Sequence, residues 1–155
     1  MNSGRSAGRA ALAAALLVAA VYGMARVDLI LRARSAYLEG EKWAEWSRKP
    51  ELKKAHFDAE LAAREGELSR ELAKGRIDRA SHDRKAGLAR FERDQALAES
   101  SLKYAYVWYQ TAAELFSPPE NRWSVSARAK MTETRALWKK ELEARKIPYQ
   151  DYMLE

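Results

Sequence analysis

The chain has 155 residues with 28 basic and 22 acidic side chains, two histidines and no cysteine. This length predicts about one domain and is too short for a barrel enzyme or a two-domain dinucleotide-binding enzyme. The lack of cysteine excludes disulfides, thiolate metal sites and c-type haem attachment, and only seven glycines and four prolines argue against an all-β chain.

The net charge of +6 is distributed unevenly along the chain. Residues 1–49 carry +4, residues 50–116 are neutral with twelve charges of each sign, and residues 117–155 carry +2. A nucleic-acid-binding domain would concentrate its Lys and Arg on one face or stripe. Because the excess here flanks an apolar N-terminal segment, we expect a lipid bilayer and not a nucleic acid as its partner.

The N-terminus consists of a basic tail, residues 1–9, and a predicted membrane anchor, residues 10–31. The sixteen residues from Ala10 to Ala25 carry no charge. A spanning helix needs about 20 apolar residues, so we extend the anchor to Leu31, with Arg26 reaching toward the headgroups. The side chains assigned to the anchor are Leu12, Leu16, Leu17, Val18, Val21, Tyr22, Leu29, Ile30 and Leu31.

Two alternatives remain for this segment. Gly23 and Ala25 supply the small residues of a signal-peptide cleavage site, and a helix buried in a protein core is the other possibility. We favour a retained signal-anchor because residues 29–31 continue the apolar surface beyond that site, and no helix breaker precedes Pro50. A short basic tail in the cytoplasm predicts a single-pass protein whose remaining chain is extracytoplasmic, in the bacterial inner membrane and periplasm.

Residues 32–146 are predicted to form a helical domain with helices at about 32–48, 50–74, 77–116 and 118–146. Pro50 suits a first helical turn, and Gly75 ends the second helix. Ser117, Pro118 and Glu120 have the spacing of a capped start for the last helix, as cap, first helical residue and capping-box acid. The tail 147–155 is apolar and aromatic, so we expect it to dock on its own chain or on a partner.

The third helix carries a heptad pattern. Leu88, Gln95, Leu102, Tyr109 and Phe116 recur every seven residues, and Phe91 and three alanines interleave with them. This is the spacing of a coiled-coil seam with one polar position, and its packing residues would be Leu88, Phe91, Leu102, Tyr109 and Phe116. The predicted fold is therefore all-α: one N-terminal transmembrane helix followed by a small antiparallel helical bundle with coiled-coil character.

Four aromatic side chains lie within the six residues 104–109. Six helical positions circle more than one turn, so these rings cannot all face one seam. They indicate a helix buried on several sides, a partner-binding surface rich in Tyr and Trp, or a membrane-interface belt. The residues that we assign to partner contact are Tyr106, Trp108, Trp138, Tyr149 and Tyr152.

No catalytic pattern is present in the sequence. It contains no phosphate-binding glycine loop and no nucleophile elbow. His56 and His82 lie on separate charged segments, which favours solvated side chains over metal ligands. We therefore predict no catalytic residue, no cofactor, no metal and no enzymatic activity.

The expected role is that of an accessory or scaffold subunit in a membrane-associated complex. Its partners would be other protein subunits and the bilayer, with no nucleic acid. One alternative is a secreted helical binding or chaperone-like protein, released by cleavage after Ala25. The other is a homo-oligomeric coiled-coil spacer, which the heptad pattern would support.

Overall fold

The computed structural model describes the backbone from Ser3 to Leu154 and side chains from Leu12 onward. Every regular element in that range is helical, which confirms the predicted all-α class. A π-helical turn (Thr111–Leu115) extends the fourth helix, and a 3₁₀ turn (Asp151–Leu154) follows the fifth. The five α-helices are α1 (Ser3–Arg48), α2 (Pro50–Ala73), α3 (Arg79–Ala98), α4 (Ser101–Gln110) and α5 (Arg122–Ala144).

Helix α1 is unbroken over 46 residues and joins the predicted anchor to the predicted helix at 32–48. Its sequence contains no proline, and Pro50 opens the next helix after a single linking residue, Lys49. The side chains of the basic tail, Arg5 and Arg9 among them, lie outside the described part of the chain. One helix therefore runs from the apolar segment into the folded domain.

The C-terminal half of α1 packs with α4 and α5, and we call these three helices the core unit. Its interior consists of one large ring among small side chains. Alanine lets neighbouring helices approach closely, so the ring fills the space between them. The fully or nearly fully buried residues of this cluster are Ala36, Ala105, Tyr109, Ala112, Ala113 and Ala127.

Helices α2 and α3 form an antiparallel pair joined at a turn with Gly75 in the left-handed region, at φ 67°. Asp78 caps α3 by accepting a hydrogen bond from the Ser81 amide at 2.6 Å. Ion pairs between the two helices follow the antiparallel register, at N–O distances of 2.7–3.9 Å. They are Asp58–Arg93, Arg64–Glu92, Glu65–Arg90 and Glu71–Lys85.

The prediction of a single helix over residues 77–116 is wrong, because the chain turns at Glu99 and Ser100 between α3 and α4. Both residues have extended backbone, with ψ of 144° and 122°. The Ser100 hydroxyl accepts a hydrogen bond from the Lys103 amide at 3.2 Å and so caps α4. Side-chain capping at Ser100 therefore begins a new helix, although the heptad spacing continues across the turn.

The last helix begins at Arg122, four residues later than predicted, and its cap is Asn121 instead of Ser117. The Asn121 side chain accepts hydrogen bonds from the Trp123 and Ser124 amides at 3.0 and 3.2 Å. The Ser124 hydroxyl accepts from the Asn121 amide at 3.0 Å, completing a capping box. Consecutive prolines disfavour helical backbone at the residue before each of them, which moves the start of the helix downstream.

The C-terminal segment docks on its own chain. Leu154 is 3% exposed and packs with Tyr106 and Trp138. Lys139 pairs with Asp151 at 2.7 Å, which holds the 3₁₀ turn against α5. The tail therefore covers one side of the core unit.

Candidate membrane and partner surfaces

The apolar segment of α1 is exposed along its length. An 18-residue window within it has a mean hydropathy of 1.9, and none of that window is buried. Leu17 and Val18 are 67% and 69% exposed, whereas Leu29 and Ile30 are half-buried. The buried-core interpretation of this segment is therefore wrong. The other anchor residues are exposed: Leu12, Leu16, Val21, Tyr22 and Leu31.

Helix α1 is thus long and apolar enough to span a membrane, a property that a signal sequence near an N-terminus shares. Its polar residues begin where the apolar run ends. The Arg32 guanidinium donates to the Asp28 carboxylate at 2.7 Å, one helical turn away. This pairing offsets one acid and one base at the boundary between the exposed segment and the core unit.

Within the core unit, α1 and α4 pack closely together at Gly40. A Cβ atom at this position would lie 2.7 Å from Cδ1 and Cε1 of Tyr109, so only glycine lets the ring pack against the helix. The Tyr109 hydroxyl donates to the Glu41 carboxylate at 2.7 Å. Burial, followed by that hydrogen bond, raises the pKa of Tyr109, which therefore stays neutral as a donor.

The residues of the predicted packing seam do not share one environment. Tyr109 is fully buried and Leu102 and Phe116 are half-buried, all in or against the core unit. Leu88 and Phe91 are 52% and 58% exposed, so they do not pack in such a seam. The reason is that α3 faces α2 with Ala86 and Ala89, which are buried, and turns its heptad positions outward.

The predicted partner-contact residues also separate into two groups. Tyr106 and Trp138 are 4% and 9% exposed and pack against each other at a ring distance of 5.8 Å. They serve the interior, so the prediction that they face a partner is wrong. Trp108 and Tyr149 are half-buried, and Tyr152 is 69% exposed.

Lys53 links the α2–α3 pair to the core unit, and sequence reasoning missed it. The residue is 4% exposed, and its ammonium donates to the carbonyls of Leu97 and Glu99 at 3.3 and 2.6 Å. These carbonyls end α3, where a cation interacts favourably with the helix dipole. The ammonium also lies 5.5 Å from the ring centroid of Trp43. Burial lowers the pKa of Lys53, opposed by nearby Glu99 and Glu141.

Among the described residues, no three His, Asp or Glu side chains lie close enough together to hold a metal ion, and this includes both histidines. The His56 imidazole is 3.3 Å from Glu60, and the His82 imidazole is 2.9 Å from Asp83. The arrangement of the described side chains thus offers surfaces for contact: the exposed apolar part of α1 and the outward face of α3. No family model, curated protein or solved structure matches this chain.

Proposed function

We propose that this protein is a non-enzymatic accessory or scaffold subunit of a membrane-associated complex, anchored by α1 and binding a partner protein through its helical domain. The observation that carries the proposal is that α1 is a single helix with two environments. Residues 12–28 are almost entirely exposed, whereas Ala33 and Ala36, at 0% and 2%, lie within the core unit. A spanning helix continuous with the core would hold the domain directly at the bilayer.

The proposed partner surface is the outward face of α3, whose occupant would be an amphipathic helix of another subunit. Leu88, Phe91, Gln95 and Ala98 all lie exposed on this face at coiled-coil spacing. Within the described chain α3 packs mainly against α2, which leaves this face uncovered. An apolar stripe along one helix, as on α3, is the kind of surface on which a second helix docks through anchors at i and i+3.

A matched pair of variants tests this surface. We expect Leu88→Glu with Phe91→Glu to lose the partner that co-purifies with the full chain in mild detergent. The control Leu137→Glu, on α5 and 44% exposed, should retain it. Unchanged helical circular dichroism would show that both variants fold. Retention of the partner by the double variant, or a wild-type monomer that purifies alone, would contradict the proposal.

A homo-oligomeric spacer is the second candidate, and the polar Gln95 within the exposed heptad face favours it, because one polar seam position can specify register. The lack of native cysteine makes the test direct. In Phe91→Cys, a second copy on this face would give an oxidative cross-link and a dimeric mass by light scattering in detergent. A monomeric mass without cross-linking would favour a different protein as the partner.

The proposed location is single-pass in a bacterial inner membrane, with the helical domain in the periplasm. The support is that Arg5 and Arg9 lie directly ahead of the apolar segment, since Lys and Arg next to a spanning helix favour the cytoplasmic side. Added protease should digest the domain in spheroplasts before lysis. Digestion only after lysis would place the domain in the cytoplasm.

Cleavage after Ala25 would instead release a secreted binding or chaperone-like protein. The small residues Gly23 and Ala25 support this alternative. It predicts that the helical domain fractionates with the soluble periplasmic contents. The anchored subunit predicts that it stays in the membrane fraction after carbonate extraction.

A further inference from the structure

The turn between α4 and α5 lies beside the point where the apolar segment of α1 ends. Trp123, in the first turn of α5, has its ring 5.5 Å from the ring of Tyr37 and 5.8 Å from the Arg34 guanidinium. Arg34 follows Leu31 by three residues, which is about 4.5 Å along a helix. The beginning of α5 is therefore level with the boundary of the exposed apolar segment.

The packing of α4 on α1 brings the end of α4 to the same level. The rings of Tyr104 and Trp43 stack at 4.6 Å, Tyr109 covers Gly40, and Ala112 packs in the cluster that includes Ala36. The two helices are therefore antiparallel, and the π-helical turn after α4 points back along α1 toward its apolar segment. Leu115 is the last residue of that turn, so the antiparallel packing carries it toward the same boundary.

The side chains exposed at this turn have the chemistry of a membrane interface. Leu115 is an apolar side chain that is 70% exposed. The Arg122 guanidinium lies 4.4 Å from the ring centroid of Trp123, so two arginines flank this indole. Trp is enriched at the headgroup level of bilayers, and arginine pairs with anionic lipid headgroups.

Most acids at and near this turn are paired with basic side chains, so the charge that remains is mainly positive. Glu120 pairs with Arg128 at 2.7 Å, and Asp28 pairs with Arg32. Glu114, next to Leu115, is the remaining exposed acid of the turn. Two basic groups, Arg34 and Arg122, lie against the Trp123 ring, at 5.8 and 4.4 Å from its centroid.

We propose that the α4–α5 turn is a second membrane contact, at which Leu115 enters the bilayer interface and Trp123, with Arg34 and Arg122, binds anionic headgroups. This inference rests on the proposed anchor, because the continuity of the turn with the apolar segment of α1 identifies its occupant as lipid. A single spanning helix leaves a domain free to rotate about its axis. The second contact fixes that rotation and with it the direction in which the α2–α3 pair faces its partner.

Nitroxide labels in the full chain test the proposal, since each engineered cysteine is unique in this sequence. Leu115→Cys is compared with Leu17→Cys in the proposed anchor and with Leu137→Cys in α5, in vesicles of phosphatidylcholine with about one quarter phosphatidylglycerol. Power-saturation EPR measures collisions with oxygen, which concentrates in lipid, and with a water-soluble nickel chelate. We expect the oxygen-to-nickel ratio at position 115 to be several-fold higher than at 137 and below that at 17.

Two outcomes would overturn the inference, and they are distinguishable. A label at 115 as accessible to nickel as the label at 137, with 17 in lipid, would refute the second contact and leave the anchor intact. A label at 17 in water would refute the anchor and the inference together.

The headgroup part of the proposal has its own variant. In the Leu115→Cys background, Arg122→Gln should lower the oxygen-to-nickel ratio at 115, whereas Lys140→Gln, an exposed residue near the other end of α5, should not. Removing phosphatidylglycerol from the vesicles should have the same effect as Arg122→Gln. Equal ratios in anionic and neutral vesicles would overturn the assignment of Arg34 and Arg122 to anionic headgroups.

Discussion

The core unit and the α2–α3 pair are held together by different interactions. In the core unit, Tyr109 is fully buried among alanines and donates to Glu41 across 68 positions of sequence. Between α2 and α3, four ion pairs join exposed or half-exposed side chains, and the buried apolar residues are Leu68, Ala86 and Ala89. Exposed ion pairs each contribute little, about 0–1 kcal/mol.

The difference between these regions assigns them different tasks. A tightly packed core specifies one arrangement, because small changes in volume are costly there. A pair with few buried apolar residues has lower local stability and can open or adapt without loss of the whole fold. The core unit is thus suited to rigid continuity with α1, and the α2–α3 pair to contact with a partner.

The largest expected effect is in the core unit. Tyr109→Ala removes the central ring and should lower the free energy of unfolding by about 3–5 kcal/mol, as for other large aromatic truncations. Tyr109→Phe keeps the ring, loses the bond to Glu41 and should cost about 1.5–3 kcal/mol. Urea denaturation of the full chain in detergent measures both. A loss below about 1 kcal/mol for Tyr109→Ala would show that the core does not depend on this ring.

The same substitution at two glycines sharpens the comparison. Gly40→Ala drives a methyl group into the Tyr109 ring and should destabilise by about 1–3 kcal/mol. Gly66→Ala, in α2 with no atom within 4 Å of its added Cβ, should stabilise by about 0.5–1 kcal/mol. Thermal unfolding of the two variants side by side checks the opposite signs. Equal shifts would mean that the two regions pack alike.

At the junction of the two regions, Lys53→Met should leave the Leu97 and Glu99 carbonyls without their donor. Methionine keeps the length and apolar stem of the side chain, so the expected loss is about 1–2 kcal/mol. Lys54→Met is the matched control, because Lys54 is exposed and pairs with Asp58, and it should cost less than about 0.5 kcal/mol. Faster amide exchange at residues 97–101 in Lys53→Met alone would locate the effect.

The smallest effect should come from acid. It should be larger in the α2–α3 pair, where the pKa values of Asp58, Asp78 and Asp83 are lowered, than at the tail on the core unit, where the pKa of Asp151 is lowered. A hydrogen bond from Lys54, with the charge of Arg93 adding to it, lowers the pKa of Asp58 from its usual 3.8. The stabilisation from a carboxyl with a lowered pKa is present above its unfolded pKa and is lost as the pH falls through its folded pKa. Amide exchange should therefore accelerate in α2 and α3 below about pH 3.8 before it does in the core unit. Simultaneous acceleration in both regions would contradict separate stabilities.

The sequence predicted the helical class and the apolar helix because composition and a sixteen-residue uncharged run are local signals. It did not predict the turn at Ser100, since the seven-residue spacing of Gln95 and Leu102 continues across it. The cap at Asn121 was missed because Ser117 and the prolines formed a second plausible cap nearby. The contacts of Gly40, Glu41 and Lys53 join distant parts of the chain, and no local pattern encodes them.

The exposed side chains on α3 show a different limit. Heptad spacing identified Leu88 and Phe91 as apolar positions on one face, which is a correct property of the helix. Which face of α3 meets α2 depends on the charge pairs and on the small residues Ala86 and Ala89, and spacing alone does not weigh these against each other. The pattern therefore marked a contact face without identifying what covers it.

The intact mass of the protein isolated from membranes tests most directly the central claim that α1 remains one helix joining the bilayer to the core unit. The account predicts a membrane-bound chain of about 17.6 kDa that retains Leu12 to Leu31. A mature protein that lacks the first 25 residues would contradict it, because the exposed apolar segment would then be a removed signal sequence.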